Sequence, residues 1–374
     1  MIYLDYQATT PLAPEVFDAM VPWLRDRFAN PHSTHRLGRE AAASVELARE
    51  RVAALMPTGG RVVFTSGATE ALNIAIWGAA RYARATDPRR VRILTAETEH
   101  AAVRDTVLAL GVEGFEPVLL PVARDGLVDP DVAAGQLDGR CAMLAVMLVN
   151  NEIGVVQPVE ALARMAHEVG ALFLCDAVQG YGRVTQPPSA DMIAVSAHKI
   201  HGPKGIGALW LRDRLDLPAL IAGGGQEGGL RSGTLSPALC VGMGEAARLM
   251  TDHHEEDVVH VEALWRRARS LFADWTLNGS AEARYHGNLN LRRDGVDGAR
   301  LMSDCREVAF SLGSACASGS GRPSHVLRAL GLSDREARSS IRLGFGRDTT
   351  MTEIEHAADI IERAAVAQLV TPKG

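Results

Sequence analysis

Short apolar runs alternate with longer stretches of helical periodicity along the first two thirds of the chain. The apolar runs are RVVFTS (61–66), VRILTAE (91–97), CAMLAVMLVNN (141–151), ALFLCDAVQG (171–180) and DMIAVSAHK (191–199). Helical patterns follow several of them, for example ATEALNIAIWGAARYA (68–83). This alternation predicts an α/β fold in which helices cover both faces of a mostly parallel sheet.

The pattern changes near residue 256, where long polar helices begin. HVEALWRRARSLFADW (260–275) and a final segment near 352–369 have helical periodicity, and NLNLRR (288–293) and SIRLGFG (340–346) predict short strands. We therefore expect a large domain over 12–255 and a smaller α+β domain over 256–374, which also includes 1–11.

Composition narrows the classes of protein. Of the 374 residues, 47% are apolar, and the formal net charge is −6. Such a chain can bury a large core, and the lack of a dense basic run argues against a nucleic-acid surface. The longest clean apolar run, 141–149, is too short to span a membrane, and the N-terminal residues do not resemble a signal peptide. We expect a cytoplasmic protein without membrane contact.

The five cysteines form no CxxC pair, which argues against a disulfide framework or a zinc site. Cys141 and Cys175 lie in apolar strand-like runs, and Cys240 and Cys305 lie in helical contexts, so all four are expected in the core. Cys316 differs, because SLGSACASGSGRPS (311–324) surrounds it with glycine and serine.

Polar groups follow each predicted strand. They are TSGATE (65–70), ETEH (97–100), NNE (150–152), Asp176 with Gln179, and SAHK (196–199). Because ligands bind beyond the carboxyl ends of strands in open parallel sheets, these groups should converge on one ligand. Possible phosphate donors, an imidazole, amides, a carboxylate and a lysine together indicate a cofactor site.

Each segment also has a simpler reading. TSGATE suits a phosphate at a helix start, but Ser66 or Thr69 could equally be an ordinary cap supported by Glu70. GGGQEG (223–228) matches the dinucleotide fingerprint but no apolar helix follows it. HHEEDVVH (253–260) lacks metal-binding spacing and reads as a solvated helix face, so no metal site is expected.

The chemistry of the three key residues favours pyridoxal 5′-phosphate. Lys199 follows a strand directly, where partial desolvation would free its amine for a covalent bond, although a solvated loop lysine is the alternative. Lys204, in a Gly–Pro turn, is a poorer anchor. Asp176 could pair with a pyridinium nitrogen, and His100 could lie on the ring or simply begin a helix.

At this point the chain resembles a known family. The segments are LDYQATTP, TSGATE, TEH, VNNEIGVVQP, HKIHGPKGIGAL, LRSGT, GSACAS and SSIR. In this order they resemble the cysteine desulfurases, most closely the bacterial NifS/IscS type within the class-V aminotransferases. The resemblance implies fold-type I of the pyridoxal-phosphate enzymes, a homodimer, and L-cysteine as substrate.

The resemblance also implies a role for each matching residue. Lys199 would bond the cofactor, Asp176 would pair with its ring nitrogen, and His100 would stack on its ring. Asn151 and Gln179 would bind the ring oxygen. Arg342 and Asn30 would bind the substrate carboxylate. The phosphate would contact five residues, the last of them from the neighbouring subunit: Ala68, Thr69, Ser196, His198 and Thr234.

The Gly/Ser setting of Cys316 suits a sulfur carrier. A thiolate is a good nucleophile toward sulfur, and a carrier must visit a buried cofactor and then an external acceptor. We therefore expect Cys316 to accept sulfur as a persulfide. The acceptor would be a protein for iron–sulfur cluster assembly or for thiolation of tRNA or cofactors, and the sequence does not say which.

Other functions remain open on the sequence alone. A selenocysteine lyase or another class-V aminotransferase would use the same cofactor, and a degenerate member could act as a binding subunit. The chain carries Gly228 where relatives often have arginine, and it ends soon after its last predicted helix.

Overall fold

The computed structural model describes residues 1–213, 215–312 and 323–370. Its strands are β1 (Ile2–Tyr3), β2 (Gly60–Thr65), β3 (Arg92–Ala96), β4 (Glu116–Leu120), β5 (Cys141–Met147), β6 (Leu172–Asp176), β7 (Met192–Ser196), β8 (Gly207–Arg212), β9 (Thr276–Leu277), β10 (Asn288–Arg292), β11 (Val308–Ala309), β12 (Ser311–Leu312) and β13 (Ser340–Gly344).

The helices alternate with these strands. They are α1 (Pro14–Arg25), α2 (Arg36–Ala53), α3 (Ala68–Thr86), α4 (Ala101–Ala109), α5 (Pro130–Gln136), α6 (Val159–Glu168), α7 (Pro237–Asp252), α8 (His254–Leu271), α9 (Gly298–Asp304), α10 (His325–Ala329), α11 (Asp334–Arg338) and α12 (Met351–Val370).

A seven-stranded sheet in the order β2-β8-β7-β6-β5-β3-β4 organises the first part of the chain. The pairs from β7 through β4 are parallel, whereas β8 runs antiparallel to both β2 and β7. The prediction of a mostly parallel α/β sheet is confirmed. The sequence analysis missed β4 and β8, whose short apolar runs EPVLL and GALWLR lack a helical segment directly after them.

Both faces of this sheet are buried, which explains the continuous apolar runs. Neighbouring strand residues point to opposite faces, so that Phe64 packs with α2 and α7 whereas Val63 packs with α3 and α4. The carboxyl ends of β3, β5, β6 and β7 therefore share one edge, and the loops that follow them meet there.

The C-terminal part has its own sheet and core. Antiparallel strands pair in the order β12-β13-β10-β9, and α8 and α12 pack together beside them. The apolar core includes Trp265, Leu291 and Ile341, and Leu4 from the N-terminal segment packs with them. The division into 12–255 and 256–374 with 1–11 stays a prediction.

Four cysteines are free and buried, as expected for core residues: Cys141, Cys175, Cys240 and Cys305. Cys305 lies at the end of α9 rather than within it. Cys316 lies outside the described residues. Across the described ranges, no helix is long and apolar enough to cross a membrane.

Candidate active site

A cavity of about 610 Å³ opens at the edge where the parallel strands end. Most of the predicted site residues line it, although they come from six separate segments of the chain. Those in its wall are Ala68, Thr69, His100, Asn151, Asp176, Gln179, Ser196, His198, Lys199 and Arg342. The tertiary structure therefore brings together residues from near 68 to 342.

The start of α3 forms one wall of the cavity. Gly67 is its N-cap residue, with φ of 154° and no side-chain cap, so the simpler reading of Ser66 or Thr69 as the cap is wrong. A Cβ on Gly207 would lie 2.7 Å from the Gly67 carbonyl carbon, so the two backbones approach closely. The first amides of α3 are thus left to bind an anion, as helix N-termini do.

Asp176 ends β6 deep in the cavity. It is 6% exposed, and its Oδ1 atom accepts a hydrogen bond of 3.0 Å from the Val178 amide. Burial raises the pKa of its carboxyl, and the nearby His100 and Lys199 oppose that shift. A buried carboxylate of this kind is stabilised by a cationic ligand, which a pyridinium would provide.

Lys199 ends a short 3₁₀ turn, Ala197–Lys199, directly after β7. Its Nζ atom donates to the Gln7 carbonyl and, at 2.8 Å, to the Ala8 carbonyl. These contacts fix the lysine at the junction of the cavity and the N-terminal segment. The amine therefore lies in the cavity wall, where a covalent bond to a ligand can form.

His198 is held neutral beside the lysine. Its Nδ1 atom lies 3.1 Å from the Thr9 hydroxyl. Burial, together with the positive charges of Lys199 and Lys204, lowers its pKa to about 4. At neutral pH the imidazole is uncharged, so it can bind a phosphate oxygen by hydrogen bonding.

His100 begins α4 at another strand end. Its Nδ1 atom accepts a hydrogen bond of 3.1 Å from the Ala102 amide, which makes it the N-cap of that helix. The simpler reading of a helix-start histidine is thus correct, and His100 lines the cavity at the same time. Because Nδ1 accepts, the proton of the neutral ring is on Nε2.

Gln179 carries an unpaired polar atom. Its Nε2 atom donates to the Gln7 carbonyl at 2.9 Å, whereas its Oε1 atom has no hydrogen-bond partner among the described residues. Gln179 is buried in the cavity wall. A buried acceptor without a partner costs free energy, so this amide suits a hydrogen-bonding ligand.

Arg342 closes another part of the cavity from β13. Its side chain is 1% exposed, with Nη2 2.7 Å from the Asp5 Oδ1 atom. Its Nη1 atom donates to the Asn151 carbonyl at 2.9 Å, and its Nε atom has no partner within the described ranges. A buried guanidinium with a spare donor is suited to bind a carboxylate.

The structure places two predicted residues outside this cavity wall. Asn30 is exposed in a turn, where its Oδ1 atom accepts from the His32 amide at 2.9 Å. Thr234 is exposed in the Gly-rich loop before α7. Neither is in the lining, and their roles stay predictions.

The part of the chain that the structure describes contains no cluster suited to a metal ion.

Some residues in or beside the cavity wall had no predicted role of their own. Asp5 and Gln7 belong to LDYQATTP, which the sequence analysis used only for the family resemblance. Glu99 is fully buried, its Oε1 accepts from the Met147 amide at 2.8 Å, and burial raises its pKa well above the usual range. Glu152 is also buried, and burial raises its pKa to about 7. The only sequence signal for the acids was their place at strand ends.

Comparison with known proteins identifies the class. The family model of the class-V aminotransferases matches residues 2–356, so the chain belongs to that family. A solved structure described as a NifS-like protein has a TM-score of 0.90 and 30% identity, covering 99% of this chain and 100% of its own. This likeness confirms the fold-type I α/β architecture that the resemblance implied.

Two curated relatives narrow the assignment. The chain is 43% identical over 372 residues to "Probable cysteine desulfurase, mitochondrial" of Schizosaccharomyces pombe, covering 97% of this chain and 74% of that protein. It is 42% identical over 371 residues to "Cysteine desulfurase IscS" of Rickettsia bellii, covering 96% and 90%. Within the class-V family, the chain is a cysteine desulfurase relative of the NifS/IscS type.

Proposed function

We propose that this protein is a pyridoxal-phosphate-dependent cysteine desulfurase that converts L-cysteine to L-alanine. The single observation that carries the proposal is the cavity shared by Lys199, Asp176, His100 and Arg342. It combines an amine for covalent attachment, an acid and an imidazole with a carboxylate receptor. The alternatives of a selenocysteine lyase or another aminotransferase differ at the sulfur-transfer step.

The residues present fit pyridoxal 5′-phosphate. The open start of α3, with Thr69, Ser196 and His198 beside it, suits the phosphate. The buried Asp176 suits the ring nitrogen, and the amide oxygen of Gln179, unpaired among the described residues, supports a polar ligand at this wall. Asn151 and Gln179 would bind the ring oxygen, while His100 would cover a ring face. When bound, this cofactor supplies an electron sink that weakens bonds at the substrate carbons.

Arg342 would orient the substrate. Its buried guanidinium already has its two terminal nitrogens oriented by Asp5 and by the Asn151 carbonyl. Its Nε atom stays available, and a guanidinium can bind a carboxylate through paired donors. We propose that Asn30 assists in this contact after the substrate enters.

Cys316 would then take the sulfur. The Sγ atom of Cys316 forms a bond to the sulfur of L-cysteine, whose carbon–sulfur bond breaks with the electron pair left on carbon. That carbon takes up a proton and becomes the methyl group of alanine, and Cys316 carries the sulfur as a persulfide. A sulfur-acceptor protein then receives it, either an iron–sulfur scaffold or a thiolation protein.

We propose a homodimer with a shared phosphate site. Thr234 lies exposed on its Gly-rich loop and does not line the cavity of its own subunit. A two-fold dimer would place it at the partner's site and create two equivalent sites.

A cytoplasmic location stays a prediction.

The deciding experiment separates cofactor chemistry from sulfur transfer. Cys316→Ala should keep the yellow colour of the bound cofactor, and its affinity for L-cysteine should be close to that of the wild type. It should form no persulfide and release no sulfide from L-cysteine, while Cys305→Ala transfers sulfur normally. Alanine and sulfide production by Cys316→Ala at the wild-type rate would refute the assignment of Cys316. An aminotransferase does not need this thiol, so Cys316→Ala would leave its transamination activity unchanged.

A further inference from the structure

Two consecutive residues beyond the segment that carries Cys316 hydrogen-bond loops that help to form the active site. Ser324 and His325 lie at the start of α10, and each contacts a different loop of the large sheet. Ser324 is eight positions after Cys316 in the sequence. The chain beyond that segment is therefore joined to the two loops that carry the cavity residues His100 and Asn151.

Ser324 is fixed through Glu152. The Ser324 hydroxyl donates to the Glu152 Oε2 atom and accepts from the Leu327 amide at 3.1 Å, which makes it the N-cap of α10. Both side chains are buried, at 5% and 4% exposure. The hydroxyl has one donor and one acceptor contact, so its orientation is fixed on both sides.

Glu152 is itself fixed by its backbone. Its amide donates to the Asn150 Oδ1 atom at 2.9 Å, and its carbonyl accepts from Asn290 Nδ2 at 3.0 Å. The hydrogen bond from Ser324 and the positive charge of Arg342 oppose the rise in the pKa of its carboxyl. Glu152 therefore connects the start of α10 to the residues that surround the substrate.

His325 makes a second connection. Its Nε2 atom lies 2.9 Å from the Glu99 carbonyl oxygen. A carbonyl can only accept, so this nitrogen carries the proton and donates. Glu99 directly precedes His100 in the chain. Ser324 and His325 thus contact the loops that follow β3 and β5.

The other end of the segment is fixed by the sheet. Ser311 pairs with Arg342 across β12 and β13. Leu312, the last described residue before that segment, is four positions before Cys316 in the sequence. Both flanks of the Cys316 segment are thus joined to the same substrate-binding region.

We propose that Glu152 is a positioning residue for sulfur transfer, which holds the C-terminal flank of the Cys316 segment in place through Ser324. This inference rests on the proposed desulfurase function and extends it. Fixing both flanks lowers the entropy that the segment loses when its thiol reaches the substrate sulfur. The His325 contact with Glu99 also holds this C-terminal flank in place.

The test measures the single-turnover rate of persulfide formation at Cys316 after mixing holoenzyme with L-cysteine. Ser324→Ala should lower this rate about three- to tenfold, with the KM for L-cysteine and the cofactor spectrum unchanged. Ser324→Thr keeps the hydroxyl, and Glu152→Gln keeps an oxygen acceptor, so both should transfer near the wild-type rate. His325→Ala should also slow transfer.

Ser333→Ala is the matched control. Ser333 also caps a short helix, α11, and hydrogen-bonds Glu336, but this capping box contains no residue of the cavity. The Ser333→Ala variant should lower the melting temperature about as much as Ser324→Ala does. It should leave the rate of persulfide formation at Cys316 unchanged. Equal transfer rates in Ser324→Ala, His325→Ala, Ser333→Ala and wild type would overturn the positioning role. A wild-type protein that forms no persulfide at all would instead refute the desulfurase proposal.

Discussion

Arg342 and Asp5 form a partly buried ion pair of 2.7 Å although they lie 337 positions apart in the chain. Asp5 follows β1, and Arg342 lies in β13. The pair links the N-terminal segment to the C-terminal sheet at the cavity wall. It also orients the guanidinium before a substrate carboxylate arrives, so the receptor is formed in advance.

Replacing Arg342 should weaken substrate binding. Arg342→Lys keeps the charge but loses the planar donors, and a hydrogen bond to a charged group is worth about 1.5–3 kcal/mol. We expect the KM for L-cysteine to rise about tenfold to a hundredfold in steady-state assays. Arg363→Lys alters an exposed ion pair with Asp359 and should leave the KM unchanged. A normal KM in Arg342→Lys would exclude Arg342 as the carboxylate receptor.

The covalent anchor can be identified directly, because the chain has only three lysines, Lys199, Lys204 and Lys373. Borohydride reduction of the yellow holoenzyme should fix the cofactor to Lys199, detected by peptide mass spectrometry. Lys199→Ala should lose both this label and turnover, because the amine at the end of the 3₁₀ turn is removed. Lys204→Ala should keep the label. A label on Lys204 in the wild type would refute the assignment.

The dimer should depend on α1. This helix buries Val16 and Met20 but exposes Phe17 and Leu24, at 53% and 64%, along one side. Phe17→Asp with Leu24→Asp should yield monomers in sedimentation velocity and weaken cofactor binding, because the partner's phosphate contact is lost. Val259→Asp, at an exposed position of α8, should stay dimeric. A monomeric wild type with full cofactor occupancy would contradict this prediction.

Stability should fall in mild acid through His201. Burial lowers its pKa from 6.5 to about 4, and the charges of Arg183 and Arg347 act in the same direction. The unfolded chain therefore binds more protons between pH 6.5 and pH 4, so the free energy of unfolding decreases as pH falls through this window. The contribution of this residue is at most about 1.4 kcal/mol per pH unit.

His201→Asn provides the measurement. His201 has φ of 62°, a conformation that asparagine tolerates. Urea unfolding at pH 7 and pH 5 should show a smaller difference in this variant than in the wild type. His356→Asn, at an exposed position of α12, should keep the wild-type difference. An identical pH dependence in His201→Asn and wild type would show that His201 does not contribute.

The sequence by itself determined the parallel sheet and most of the cavity wall. Strands buried on both faces appear as apolar runs, and topology forces their carboxyl ends to one edge, so Asp176, Lys199 and His100 could be located from local pattern alone. Strand β8 escaped prediction because no helical segment directly follows its short apolar run, and such a run alone does not distinguish a strand from a buried helical segment.

Only the tertiary structure decided which distant residues complete the site. The Asp5–Arg342 pair, the Lys199 contacts to the Gln7 and Ala8 carbonyls, and the Glu152–Ser324 hydrogen bond each join segments far apart in the chain. It also decided that Gly67, rather than Ser66 or Thr69, is the N-cap residue of α3. Such contacts depend on how elements pack in space, and residue spacing along the chain carries no information about that packing.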